Sequence, residues 1–397
     1  MRSIVAMLAI ISLFPVCSTV QAELPVDVPS RHLASILQPF VDNHILAGAV
    51  ILVASPDKIL DIEAVGYADI VAKKPMQTDC LFWIASQSKP ITATALMMLV
   101  DEGKVNVDDP VEKYLPEFAG QMVVVEQDKD HVLLQKPLHP ITVKNVLSHT
   151  SGLPFKSLIE EPTLDLFPLA LRVRSYAMMP LDFEPDTKYK YANAGINTVG
   201  RIIEVVSGMP YEKFLDERIF RPLEMKDTTF WPNAQQIERL AKSYKPSTDK
   251  KSLEETPVVQ LKYPLGDHSR QPMPAGGLFS TAKDLSIFYR MLAKGGTFAG
   301  RRYLSEKSLK QMTSTQTGNL PNQYGFGFNT RKANFGHGGS YGTYSNYDPQ
   351  HQLITIYLVQ QAAWANAEGK KLNVVFQQAA TQMFGEPPAN ENAPIGP

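Results

Sequence analysis

The stretch from Ala85 to Val100 reads ASQSKPITATALMMLV. From Pro90 onward it is apolar on every side, the pattern of a helix buried all round rather than one lying on a surface. Pro90 is tolerated in a first helical turn, where its missing N–H is not needed, and Gly103 supplies a C-terminal stop. A lysine at the mouth of such a helix costs free energy unless it is used. Residues i and i+3 of a helix share a face, so Lys89 lies beside Ser86. An amine held in apolar surroundings has a lowered pKa and serves as base for a serine hydroxyl, which is a weak nucleophile alone. The helix start adds free backbone N–H groups and a positive dipole end, which suit a developing oxyanion. An N-cap serine followed by a solvated lysine gives the same letters, so the pair needs context.

Two further clusters supply it. In Lys190-Tyr191-Ala192-Asn193-Ala194-Gly195, side chains two apart on an extended backbone point the same way. Tyr191 next to an ammonium is expected to have a lowered phenol pKa and to relay protons. Asn193 is placed to hold Lys89 and a substrate carbonyl. The alternative is a tyrosine that merely packs on its loop. In Gly336-His337-Gly338-Gly339-Ser340-Tyr341-Gly342, a glycine-rich turn into a strand lets a substrate lie close against the backbone, and the Ser340 N–H becomes a second oxyanion donor. The alternative there is a glycine-rich hairpin with a solvated histidine.

Taken in order, Ser86-Gln87-Ser88-Lys89, Tyr191-Ala192-Asn193 and His337-Gly338-Gly339 resemble the three motifs of the serine β-lactamase and penicillin-binding-protein superfamily, in the group around class C β-lactamases. That group includes D-alanyl-D-alanine carboxypeptidases, D-aminopeptidases and family VIII carboxylesterases. The stretches LSHTSGL (Leu147 to Leu153) and AGGLFST (Ala275 to Thr281) add to the resemblance, which covers nearly all of the chain after the leader. It implies an acyl-enzyme route: Ser86 attacks a carbonyl, Lys89 and Tyr191 move its proton, and the N–H groups of Ser86 and Ser340 hold the oxyanion. His149 is expected to be structural. The third motif has His337 where β-lactamases usually carry a lysine that helps bind a carboxylate. A histidine is mostly neutral near pH 7. The resemblance therefore implies a carboxylesterase on small esters, with a D-amino-acid peptidase or class C-like β-lactamase as alternatives. A non-catalytic penicillin- or peptidoglycan-binding protein is the alternative from another class.

The order of elements gives the fold class. Arg31 to Val41 reads as an amphipathic helix, and Ala49–Ala54 and Lys58–Val65 as a hairpin turned at Ser55-Pro56-Asp57. A mostly helical middle follows, with a second hairpin around Gln127–Asp130 and helices over Thr142–Ser148, Ala194–Val206 and Tyr211–Phe220. Strands return at Gly325–Asn329, Tyr341–Asp348 and Leu353–Val359, before a helix from about Ala367 to Phe384. Strands at both ends join one sheet. The expectation is an α+β architecture: an antiparallel sheet flanked by helices (about 23–84 and 275–384) with an inserted helical part (about 85–274). The tail from Gly385 reads as disordered.

The 39 basic and 40 acidic side chains lack the basic excess of a nucleic-acid-binding surface. Met1 to Ala22 reads as a secretory signal peptide cut near Ala22, placing the protein outside the cytoplasm or in a periplasm, with no stable membrane anchor. Val16 before Cys17 disfavours a lipid anchor. After cleavage Cys80 stands alone, in a strand-like run that marks it as a packing residue. The eight histidines show no paired-ligand spacing, so neither metal nor other cofactor is expected. Gly338-Gly339-Ser340-Tyr341-Gly342 also fits Gly-x-Ser-x-Gly, with Asp348 and His351 as partners. Only 57 residues follow Ser340, too few for the rest of an α/β-hydrolase sheet.

Overall fold

Two ends of the chain build one sheet. The computed structural model describes residues 32–331 and 333–387. The proposed signal peptide, and the tail beyond residue 387, lie outside the described residues. Strands β1 (Gly48–Ala54), β2 (Ile59–Asp69) and β3 (Lys74–Pro75) come from the N-terminal part. Strands β4 (Asn329–Arg331), β5 (Asn334–Gly338), β6 (Tyr344–Asp348) and β7 (Leu353–Leu358) come from the C-terminal part. They form a seven-stranded sheet in the order β4-β5-β6-β7-β1-β2-β3. Every pairing is antiparallel, and β7 seats on β1 in the register Val50↔Leu358 to Ala54↔Ile354.

The sheet is covered on both faces, which is why β1 and β7 read as unbroken apolar runs rather than alternating ones. Ala49, Ile51 and Val53 pack with helices α1 (Ala34–Asp42) and α6 (Leu372–Phe384) on one side. Val50, Leu52 and Ala54 join the large core on the other, with helices α2 (Ser88–Asp101) and α5 (Ala282–Ala293). Twelve of the fourteen residues of α2 are buried, Lys89 among them, as the all-round apolar pattern requires. Burying each of Ile91, Leu96 and Leu99 contributes roughly 1.5–3 kcal/mol.

The inserted region brings two more helices to the site. Helix α3 (Val143–Ser148) starts at a capping box on Thr142 and ends at His149, which has a left-handed backbone at φ 61°. Helix α4 (Asn193–Ser207) starts at the second motif and stops at Gly208, also left-handed. The expected hairpin is present as Val123–Gln127 paired with Val132–Gln135. Among the described residues no helix is long and apolar enough to cross a membrane.

Several boundaries differ from expectation. Gly325 to Phe328 is not a strand: Gly327 turns back at φ 76°, and its backbone lies so close to α2 that a Cβ would sit 2.7 Å from the Ala93 Cβ. The strand starts later, at Asn329. The third motif begins at the end of β5, a strand that the glycine-rich sequence conceals, and β6 begins at Tyr344 because Gly339 to Thr343 is the turn between them. The segment Tyr211–Phe220 is helical only to Leu215, followed by a π-helical turn over Asp216–Phe220. The closing helix starts at Leu372, behind a 3₁₀ turn at Gly369–Lys371.

Candidate active site

Ser86 sits in a 3₁₀ turn, Ala85–Gln87, that feeds directly into α2. The turn is held by Ile84, whose N–H donates to the Leu278 carbonyl at 3.0 Å. Ala85 takes φ 46°, a conformation that side-chain-bearing residues rarely adopt. Such strain persists only where the surroundings enforce it, and here it directly precedes the candidate nucleophile.

Lys89 lies one turn on, fully buried, with its Nζ 3.1 Å from Ser86 Oγ. It donates to Asn193 Oδ1 at 2.9 Å and to the Ala275 carbonyl at 2.7 Å. Burial pushes its pKa well below that of an ordinary lysine, because desolvation penalises the charged form. A neutral amine has two N–H groups and one lone pair. The two carbonyl-type acceptors take the N–H groups, and the lone pair is left for the Ser86 hydroxyl. The Ala275 peptide is fixed from behind: its N–H donates to Asn197 Oδ1 at 3.1 Å, and the preceding Pro274 carbonyl accepts from Thr92 of α2 at 2.8 Å.

The Tyr191 side chain faces that of Ser86, close enough for the Ser86 hydroxyl to act on the phenol. Its ring lies under Lys89, whose Nζ is 4.6 Å from the centroid. The expectation of a lowered phenol pKa is corrected by the structure. Burial pushes the Tyr191 phenol up, and the same burial disfavours the Lys89 ammonium that would have lowered it. Tyr191 therefore enters as a protonated phenol.

The third motif comes alongside on β5. His337 is buried and uses both ring nitrogens: Nδ1 bonds the Gly338 carbonyl at 2.7 Å and Nε2 bonds the Tyr324 hydroxyl at 3.0 Å. Nδ1 is thus the protonated nitrogen and Nε2 the acceptor. Burial, then the nearby Lys89, lowers the His337 pKa to about 3, so the imidazole is neutral over the working pH range. Gly339 is required by sterics: a Cβ there would lie 2.2 Å from Thr343 Oγ1 and 2.5 Å from the Ile84 carbonyl. This close approach brings the β5 end, and with it Ser340, against the residues leading into Ser86. Ser340 is exposed at the turn, and its N–H donates to no backbone carbonyl among the described residues.

The structure thus brings together Ser86, Lys89, Tyr191, Asn193, His337, Gly338 and Gly339, with Ser340 at the rim. Sequence reasoning missed the Ala275 carbonyl, Asn197 and Tyr324. The AGG at Ala275 was the only trace of the first. Asp348 and His351 pair with each other at 2.8 Å and belong elsewhere. They lie at the end of β6 away from the Ser340 turn and in the turn that follows it, and line a cavity of about 560 Å³ beside α6. Cys80 is buried and burial pushes its thiol pKa up, as fits a packing residue.

The Beta-lactamase family model matches residues 33–380. Protein Rv1367c of Mycobacterium tuberculosis is 31% identical over 356 residues, covering 80% of this chain and 87% of that protein. Esterase EstB of Burkholderia gladioli is 34% identical over 197 residues, 47% of each chain. Among solved structures, EstCE1, described as a hydrolase with promiscuous acyltransferase activity, superposes with a TM-score of 0.72 at 23% identity, covering 88% of this chain and 97% of its own. At that identity the superposition establishes the fold, a β-lactamase-like sheet with flanking helices.

Proposed function

The chain belongs to the β-lactamase family and is a serine hydrolase of that family, and we propose that it is a carboxylesterase acting on small neutral esters through an acyl-enzyme on Ser86. One observation carries the choice of substrate: the third motif presents a buried, neutral imidazole whose two nitrogens are already bonded within the protein. The resemblance in the sequence places a carboxylate-binding cation at that position in β-lactamases. Here the position offers no positive charge for a β-lactam or a peptide C-terminus.

The reaction follows from the bonds at Ser86. The Lys89 lone pair takes the hydroxyl proton as Ser86 Oγ forms a bond to the ester carbonyl carbon. The Ser86 and Ser340 N–H groups receive the oxyanion. Asn193 has its Oδ1 committed to Lys89, which leaves its Nδ2 for the substrate. As the C–O bond breaks, the Tyr191 phenol gives its proton to the departing alkoxide, and the Lys89 ammonium reprotonates the phenolate. A water then attacks the acyl carbon by the same steps in reverse, releasing the acid and restoring Ser86.

The test compares turnover of a short-chain nitrophenyl ester with that of a chromogenic cephalosporin. The ester is expected to be hydrolysed at least about 100-fold faster, and Ser86→Ala to lose on the order of 10⁴-fold on the ester with its melting temperature unchanged. Faster cephalosporin turnover would remove the substrate assignment. Ester turnover that survives in the alanine variant would remove Ser86.

A further inference from the structure

His149 brackets Tyr191 from both sides. Its backbone carbonyl accepts from the Lys190 N–H at 3.0 Å, and its ring Nδ1 accepts from the Ala192 N–H at 3.3 Å. The residues before and after Tyr191 are thus both tied to one residue. The ring itself lies against the tyrosine, with centroids 4.5 Å apart. It also meets Tyr324, with centroids 4.7 Å apart, and Tyr324 is the residue whose hydroxyl bonds His337. One buried imidazole therefore touches the tyrosine of the second motif and the support of the third.

The arrangement costs stability. With Nδ1 accepting, the proton sits on Nε2, which is buried with no partner among the described residues. An unpaired buried donor is destabilising, and a left-handed backbone on a histidine adds strain. A pure packing role would be filled more cheaply by an apolar side chain. What an apolar side chain lacks is the Nδ1 acceptor.

We propose that His149 is a positioning residue for Tyr191, fixing the phenol against Ser86 through the Ala192 N–H and the tilted ring packed on it. This rests on the reading that Tyr191 takes part in acyl transfer. Burial lowers the His149 pKa well below its ordinary value, which keeps the acceptor nitrogen unprotonated. The charged or titratable groups packed around it are Lys89, His337, Tyr189, Tyr191 and Tyr324.

The test uses two substitutions that both tolerate the left-handed backbone. His149→Gly removes acceptor and ring. His149→Asn keeps an acceptor oxygen and loses the ring. On the nitrophenyl ester, His149→Gly is expected to lower kcat about 30-fold or more with KM within about 3-fold, and His149→Asn to recover most of the loss. In a Tyr191→Phe background, His149→Gly is expected to cost no more than about 2-fold, because its effect runs through the phenol. If His149→Gly costs the same factor in both backgrounds, or if asparagine is no better than glycine, the positioning role is wrong. If the glycine variant does not fold, the asparagine variant decides alone, and a kcat as low as that of Tyr191→Phe overturns the proposal. Full activity in Tyr191→Phe itself would instead bring down the catalytic reading of Tyr191, a separate result.

Discussion

At the scale of single residues the site is governed by what burial does to charge. Lys89 is in the core, cut off from the water that would stabilise its ammonium. Its pKa is pushed far down by desolvation, and the sign of the consequence for activity follows. In the proposed mechanism the base form is the active one, so kcat/KM is expected to rise with pH through the depressed pKa of Lys89 and to reach its plateau well below pH 10.5. His337, with a pKa of about 3, contributes no inflection near pH 6 to 7. A pH profile of kcat/KM checks both statements. Lys89→Arg is expected to lose at least about 10³-fold at every pH, because a guanidinium stays charged and cannot accept the Ser86 proton. Activity in the arginine variant that recovers at high pH would contradict the assignment of Lys89 as base.

At the scale of elements, packing distances decide where the motifs end up. The end of β5 approaches the Ala85–Gln87 turn so closely that Gly339 has no room for a methyl group: its Cβ would meet Thr343 Oγ1 at 2.2 Å and the Ile84 carbonyl at 2.5 Å. Gly339→Ala is therefore expected to push β5 away from Ser86 and displace the Ser340 N–H. We expect a fall of about 100-fold in kcat, of the size of losing one oxyanion donor, with a smaller loss of stability of roughly 1–3 kcal/mol. Unchanged kcat would place the oxyanion donor elsewhere. The same closeness explains what could be read in the sequence. The buried helix α2, the N-terminal hairpin and the second-motif helix α4 each have a strong pattern or a clear stop, and each lies where expected. Strand β5 has neither: Asn334, Gly336 and Gly338 are poor strand formers, and Gly336 is needed because a Cβ would lie 2.3 Å from the Ser345 carbonyl. The Ala275 carbonyl was unreadable for a different reason. It is a backbone atom, and no side chain records that Lys89 donates to it. His149 showed only as a histidine, because a left-handed backbone and an accepting Nδ1 are properties of the fold around it.

At the scale of the whole molecule, the segment that delivers Ala275 is anchored by a buried ion pair. Arg270 Nε donates to Asp165 Oδ2 at 2.7 Å, with both side chains at most 2% exposed. Arg270 also donates to the carbonyls of Phe230 and Leu265, and Asp165 accepts from the Lys262 N–H at 2.9 Å. Next to it, buried Arg172 donates to the Leu164 and Pro272 carbonyls. The Leu164–Asp165 loop and the run from Lys262 to Pro272 are thereby locked together three residues before the carbonyl that holds Lys89. Charges buried this deeply are worth little against an apolar replacement but much against the loss of one partner, because the survivor is left uncompensated. Arg270→Met is therefore expected to cost about 3–5 kcal/mol in chemical denaturation. Asp165→Leu combined with Arg270→Met should recover a good part of it. Activity should not recover in step with stability. The double variant restores packing but loses the hydrogen bonds that fix the path into Ala275, so kcat should stay depressed with KM little changed. A double variant as active as the wild type would mean that Thr92 and Asn197 hold the Ala275 peptide without help from the ion pair. A double variant no more stable than Arg270→Met would mean that the hydrogen bonds to Phe230, Leu265 and Lys262, rather than the pairing of charges, are what the pair contributes to the fold.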